Sequence, residues 1–243
     1  MLPAVITACF FALSAVFSQR AARIFGPLQA NAMRLGIACT VLGLMTLMVD
    51  GAYGVQSLHA QLYPMLFWSG LVGFGLGDIA MFRAYPLLGS RLTVLINLCT
   101  ATLFGAAGDA LLLGTHLNNW QWACVAGILA GLVTALWPEK GGLPRSVGGI
   151  TYAVIAGLGM GGGTVLTGKV NALAAELHLH CYGISQAFQR SSAGLLAALA
   201  ALLLLPSAPA KAVDGTPLKW RHKPFWIMGT ALFGPVVDRK SVV

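Results

Sequence analysis

Four charged side chains of this chain fall inside long apolar runs: Arg34, Asp78, Asp109 and Arg190. A charge placed inside a membrane-spanning helix costs roughly 2.5–3.5 kcal/mol on insertion scales, so each needs a partner or water. Arg34 lies roughly 9 Å into the run 28–49 at the 1.5 Å rise of a helix. Asp78 lies at a similar depth, from the same side, in the run 62–82. The spacing predicts that they pair. Such a pair, beside a cavity, can bind a polar or zwitterionic solute; the plainer reading is a pair that only fixes helix packing, or an arginine that snorkels. Asp109 stands near the far side of the run 92–113, and Arg190 enters the run 181–205 from that same side. A second acid–base couple is therefore expected on the opposite face, with contact to interfacial water as the plainer role for Asp109. Asn97, midway along its run, can hydrogen-bond a solute or a neighbouring helix. Asp78 is the preferred proton carrier.

Other patterns carry less. Gly157, Gly159 and Gly162 fit a dinucleotide fingerprint, and Gly163, Gly168 and Lys169 fit most of a phosphate loop. Val170 stands where that loop needs Ser or Thr for magnesium, and neither pattern has a strand before it. His178 and His180 flank Leu179, with Glu176 as the one carboxylate nearby. That set does not make a metal centre, and interfacial histidines are the expectation. Cys9, Cys39, Cys99, Cys124 and Cys181 show no CxxC and mostly lie within apolar runs, where cysteine behaves as a small hydrophobe. Neither an HExxH cluster nor a paired-Asp motif is visible. No enzyme, cofactor or metal is expected.

The elements that must position these groups follow from composition. Of 243 residues, 57% are hydrophobic and 9% charged, against about 25% charged in an average soluble domain. Mean hydropathy is +0.78. A soluble enzyme and a disordered tail are thereby disfavoured. The net charge of +8 would suggest nucleic acid in a soluble protein, but the basic residues lie mostly between apolar runs, as topology signals do, so no nucleic-acid partner is expected. Continuous apolar runs of about 20 residues predict spanning helices rather than strands, since helices satisfy every backbone group within lipid. Spans are expected at 2–19, 28–49, 62–82, 92–113, 119–137, 147–168, 181–205 and 224–237. Trp120, Trp122, Trp137, Tyr63, Trp68 and Trp226 mark span ends, where aromatic rings prefer the interface. The first run could pass for a signal peptide, but it lacks a charged leading region and similar runs follow, so it reads as a span.

Lysine and arginine alternate between connections. Odd connections hold Arg20, Arg23, Arg83, Arg91, Lys140, Arg145, Lys211, Lys219, Arg221 and Lys223, whereas even ones hold Lys169. The positive-inside rule then puts the odd connections in the cytoplasm and the N-terminus outside. A weak internal repeat is also present. GPLQANAMRLGIAC (26–39) pairs with YGISQAFQRSSAGLL (182–196), and FWSGLVGFGLG (67–77) with FWIMGTALFGP (225–235). An offset of five spans would insert the second unit upside down, a common transporter design.

The stretches FALSAVFSQRAARIFGPLQANAMRLGIAC, GFGLGDIAMFRAYPLLGSRLTVLI and LLLGTHLNNWQWACVAGILAGLVTAL resemble the EamA family of the drug/metabolite transporter superfamily. The resemblance implies an all-α polytopic membrane bundle of two inverted five-helix repeats, with helices one to four and six to nine around a central cavity. Residues 1–138 would form the first repeat, 139–146 a connecting loop, and 147–243 a second repeat that is incomplete. The chain departs from the family pattern by stopping in the eighth span; family members are also usually drawn with both termini cytoplasmic. Residues 238–243, DRKSVV, read as an artefactual tail, and an open groove is expected where a ninth and tenth helix would pack. The implied function is secondary transport, as an exporter of amino acids, metabolites or drug-like molecules by alternating access. A membrane-embedded receptor or scaffold is the alternative. The expected setting is a bacterial plasma membrane, with lipid and a small-molecule solute as partners; a homodimer is compatible with such a bundle.

Overall fold

The computed structural model describes residues 2–49, 60–112, 114, 118–136, 146–179, 183–205 and 227–228. Among these residues the chain is helical, with no strand. α1 spans Leu2–Phe25 and α2 spans Pro27–Val49. α3 is Tyr63–Gly70, and it runs without a break into a π-helical segment, Leu71–Gly77. α4 follows directly as Asp78–Leu112. α5 is Asn119–Leu136, α6 is Val147–Glu176 and α7 is Gly183–Leu204. Among the described residues, four stretches are long and apolar enough to cross a membrane: Pro27–Met48, Tyr63–Leu112, Val147–Glu176 and Gly183–Leu204. α1 and α5 occupy the ranges of the expected first and fifth spans. Of the expected eighth span only Ile227 and Met228 are described; the tail 238–243, Trp137, Trp226, His180 and Cys181 lie outside the described residues.

Backbone chemistry explains the corners. Gly26 has φ of +90°, a left-handed conformation that glycine enters freely, and Pro27 then opens α2 with its ring already set for a helix. The stretch Tyr63–Leu112 holds 50 residues, roughly 75 Å if straight, over twice a ~30 Å hydrocarbon core. It kinks at Gly89, where φ is +79° and ψ is 168°. Pro86 removes one backbone donor just before the kink. Residues 83–91, read from sequence as a connection, are thus mostly helix around a one-residue corner. α6 also outruns its expected end at 168. Lys169 and Asn171 belong to the helix, and Asn171 Oδ1 accepts from Gln186 Nε2 of α7 at 2.9 Å. The helix ends instead on a left-handed His178 (φ +53°), whose successor Leu179 donates its N–H to the Ala174 carbonyl.

Glycine organises the packing. One stripe of α6, at Gly149, Gly157 and Gly161, lies against α4: a Cβ on Gly157 would stand 2.5 Å from Thr100 Cβ, and one on Gly161 2.8 Å from the Ala101 carbonyl. A second stripe, at Gly159 and Gly163, lies against the π-helical segment, where Gly77 and Gly73 face it backbone to backbone. Ser69 Oγ donates to the Gly163 carbonyl at 2.6 Å and shares a hydrogen bond with Thr167 Oγ1 at 2.9 Å. α7 covers the other side of the segment, with Phe74 against Gly194 and Ala197 against Gly75. α2 packs on α7 through Leu35 and Ala198. α1 closes a cluster with Phe82 and Tyr85 of α4, to which Ile227 also belongs. α5 stands apart, with Trp120 76% exposed and Gly127 and Gly131 meeting nothing within 4 Å. A groove of about 440 Å³ opens between the π-helical segment, α4 and α6. Its walls include Val72, Leu76, Phe104, Ile155 and Leu166, with no polar side chain.

These contacts set a test. A Cβ on Gly159 would stand 2.7 Å from Gly77 Cα and 2.8 Å from the Val72 carbonyl, so only helix separation can relieve it. Gly159→Ala should destabilise the chain by about 1–3 kcal/mol. Gly127→Ala, with nothing within 4 Å, should be neutral or up to ~1 kcal/mol stabilising. Unfolding of both variants by titrated denaturing detergent checks this; equal midpoints would overturn the packing scheme.

Candidate functional site

The interior between α2 and α4 is built around an ion pair. Arg34 Nη2 donates to Asp78 Oδ2, and the two side chains are 6% and 11% exposed. Two helices put them there. α2 carries Arg34 one turn after Asn31, so both project from the same face. Asp78 is the first residue after the π-helical segment, whose placement is set by the glycine contacts with α6. Arg34 Nη2 also donates to Asn31 Oδ1 at 3.3 Å. The guanidinium lies over the Phe82 ring, 5.2 Å from its centroid, and Phe82 meets Tyr85 edge to face at 5.7 Å. The aromatic faces give the cation a second electrostatic partner in a site from which water is largely excluded.

The sequence-derived candidates divide here. Arg34 and Asp78 come together as their depths predict. Arg190 does not join Asp109. Its backbone packs against Gly70, its guanidinium lies 5.0 Å from the Phe74 centroid, and its charge reaches Asp78. Asp109 sits half-buried near the far end of α4 and has no ion-pair partner among the described residues. The expected couple on the opposite face is therefore absent. The reason is that α7 runs alongside the π-helical segment, which draws Arg190 toward the first acid. Asn97 is fully buried at the α4–α6 contact, where its Nδ2 donates to Met160 Sδ at 3.4 Å, and its Oδ1 has no hydrogen-bond partner. It faces α6, as an interhelical contact would.

Sequence reasoning missed Asn31, although it is wholly buried and touches Arg34. Its signal was available: an amide three residues before the buried arginine, on one helix face. Phe82 and Tyr85 were missed as well, because aromatic residues in an apolar run carry no mark of their role. Among the described residues, no group of three or more His, Cys, Asp or Glu could hold a metal. His178 serves as the left-handed terminus of α6. The described cysteines are free thiols.

A buried pair is most costly when half of it is removed, because the survivor is left charged and unpaired. Arg34→Leu or Asp78→Leu alone should each destabilise the chain by about 3–5 kcal/mol. The double Leu variant should recover most of that loss. Denaturation midpoints of the three variants decide it; additive losses in the double variant would show that the two side chains do not depend on one another.

The model of the EamA-like transporter family matches residues 1–137, more than half of the chain. That stretch contains Arg34, Asp78, Asn97 and Asp109. No curated protein gives a match. Members of the family are transporters rather than enzymes. With its long apolar helices and this match, the chain is a multi-pass membrane protein that belongs to the EamA-like transporter family.

Proposed function

We propose that the chain is a secondary transporter that exports a small polar metabolite or drug-like solute. The observation that carries this reading is the Arg34–Asp78 pair, buried with Asn31 between helices of a transporter family. An ion pair in an apolar bundle is poor evidence of stability as such, since apolar residues of similar volume often serve as well. Its presence points to use. In this reading residues 1–138 and 147–243 belong to two inverted repeats that rock around the pair. The glycine faces of α6 against the π-helical segment and α4 allow close approach and sliding, as such motion requires. Asp78 is the group that takes the coupling proton when Arg34 is drawn to the solute. The setting is a bacterial plasma membrane, with the basic odd connections in the cytoplasm.

The test is counterflow in proteoliposomes, with solutes first found by a growth-resistance screen of the gene. Exchange of labelled solute is expected, and Asp78→Asn should lower its rate about 10- to 100-fold, as loss of a charged hydrogen bond implies. The reversed pair, Arg34→Asp with Asp78→Arg, should restore expression without restoring exchange. Saturable binding with no exchange would replace this reading with a receptor; restored exchange in the reversed pair would reduce the pair to packing.

A further inference from the structure

Asn31 and Arg34 leave two buried donors on one helix face. Arg34 Nη2 is engaged by both Asn31 Oδ1 and Asp78 Oδ2. Arg34 Nε has no hydrogen-bond partner, and neither has Asn31 Nδ2. Asn31 is 0% exposed and Arg34 5%. The identity of the idle amide atom is settled by chemistry. Arginine has no acceptor, so the Asn31 carbonyl oxygen must be the atom that faces it, and the idle atom must be the NH₂. More than nine in ten buried backbone polar groups, and most side-chain ones, find a partner in folded proteins. Two idle N–H donors of adjacent side chains, with no acceptor among the described residues, are open to an acceptor from outside the chain.

We infer that Asn31 Nδ2 and Arg34 Nε form a docking edge for a carboxylate group of the transported solute. The inference rests on the transport reading and names its substrate class. Both donors want oxygen, and the cation favours an anionic one. Asp78 limits how much negative charge the site accepts. The Arg34–Asp78 pair is neutral together and Arg190 adds one positive charge within reach of it, so a monoanion balances the site while a dianion leaves it negative beside the Asp78 carboxylate. A carboxylate presents two coplanar oxygens, which an edge of two N–H groups can take together. Phe82 forms an apolar wall on the guanidinium face, so a solute approaching the cation meets its edge.

The probe is acetate, the smallest carboxylate that no neighbouring subsite needs to recognise. The full chain in lipid nanodiscs is titrated with acetate, acetamide and methylphosphonate at constant chloride, with the thermal midpoint as readout. Acetate alone should raise the midpoint saturably. Asn31→Asp keeps an oxygen toward Arg34 and replaces the free donor by an anion; Arg34→Lys keeps the charge and removes Nε. Each should weaken the acetate response about tenfold or more. In the unsubstituted chain carrying ¹⁵N-arginine, acetate should move the Arg34 Nε resonance, a readout that stands even if a variant fails to fold. No saturable acetate effect, an equal response to acetamide, a preference for methylphosphonate, or an unmoved Nε resonance would each overturn the assignment. Acetate binding at this edge in a chain that exchanges no solute would sink the transport reading and leave the site. Exchange of a solute without a carboxylate, undisturbed by acetate, would do the reverse.

Discussion

The close approach of two glycine-bearing backbones, Gly73 and Gly77 of the π-helical segment to Gly163 and Gly159 of α6, is the contact on which the rest of the interior depends. Lipid tails are as apolar as leucine, so helices in a membrane gain little from hiding hydrophobic surface from one another. They gain from contact, and backbones without side chains make the most of it. Here that contact sets the position of the segment from which Asp78 emerges. It also leaves the opposite side of the segment open to α7, which fills it with Gly194 against Phe74. Arg190 arrives beside the first acid as a by-product of that packing.

Polar groups follow the same logic. Ser69 and Thr167 meet at the contact of α3 with α6 and bond to each other and to the Gly163 carbonyl. Gln186 and Asn171 bridge α7 and α6. These are satisfied sets that hold helices together. The set at Arg34 differs in kind, because two of its donors find no acceptor among the described residues. The apolar groove beside Val72 and Phe104 offers nothing comparable, since its walls hold no polar side chain to orient a solute.

Much of this was legible in the sequence. Apolar run length placed most of the described helices, and equal depth in successive runs paired Arg34 with Asp78. The ends were read less well where polar residues were taken as stops. Lys169 and Asn171 continue α6, because one charge and one bonded amide near a helix end cost little, whereas the left-handed backbone at His178 does end it. Pairing Asp109 with Arg190 failed for another reason. Depth along a helix can be counted from sequence, but which neighbour a helix lies against cannot. The two glycine stripes of α6 were visible as small residues, yet nothing in their spacing told which stripe meets α4 and which meets the segment before Asp78.

The segment Leu71–Gly77 has one more effect, best seen as a matter of phase. A π turn accommodates an extra residue in the helical count, and one residue of an α-helix is roughly 100° of rotation. Everything after Gly77 is therefore turned relative to α3 by an angle that a regular helix would not have. Trp68 points outward, 58% exposed, while Asp78 points inward, 8% exposed, on what would otherwise be one smoothly wound rod. The aim of the acid is thus a clock setting: it is written in the winding of seven residues and held by their fit against two neighbouring helices.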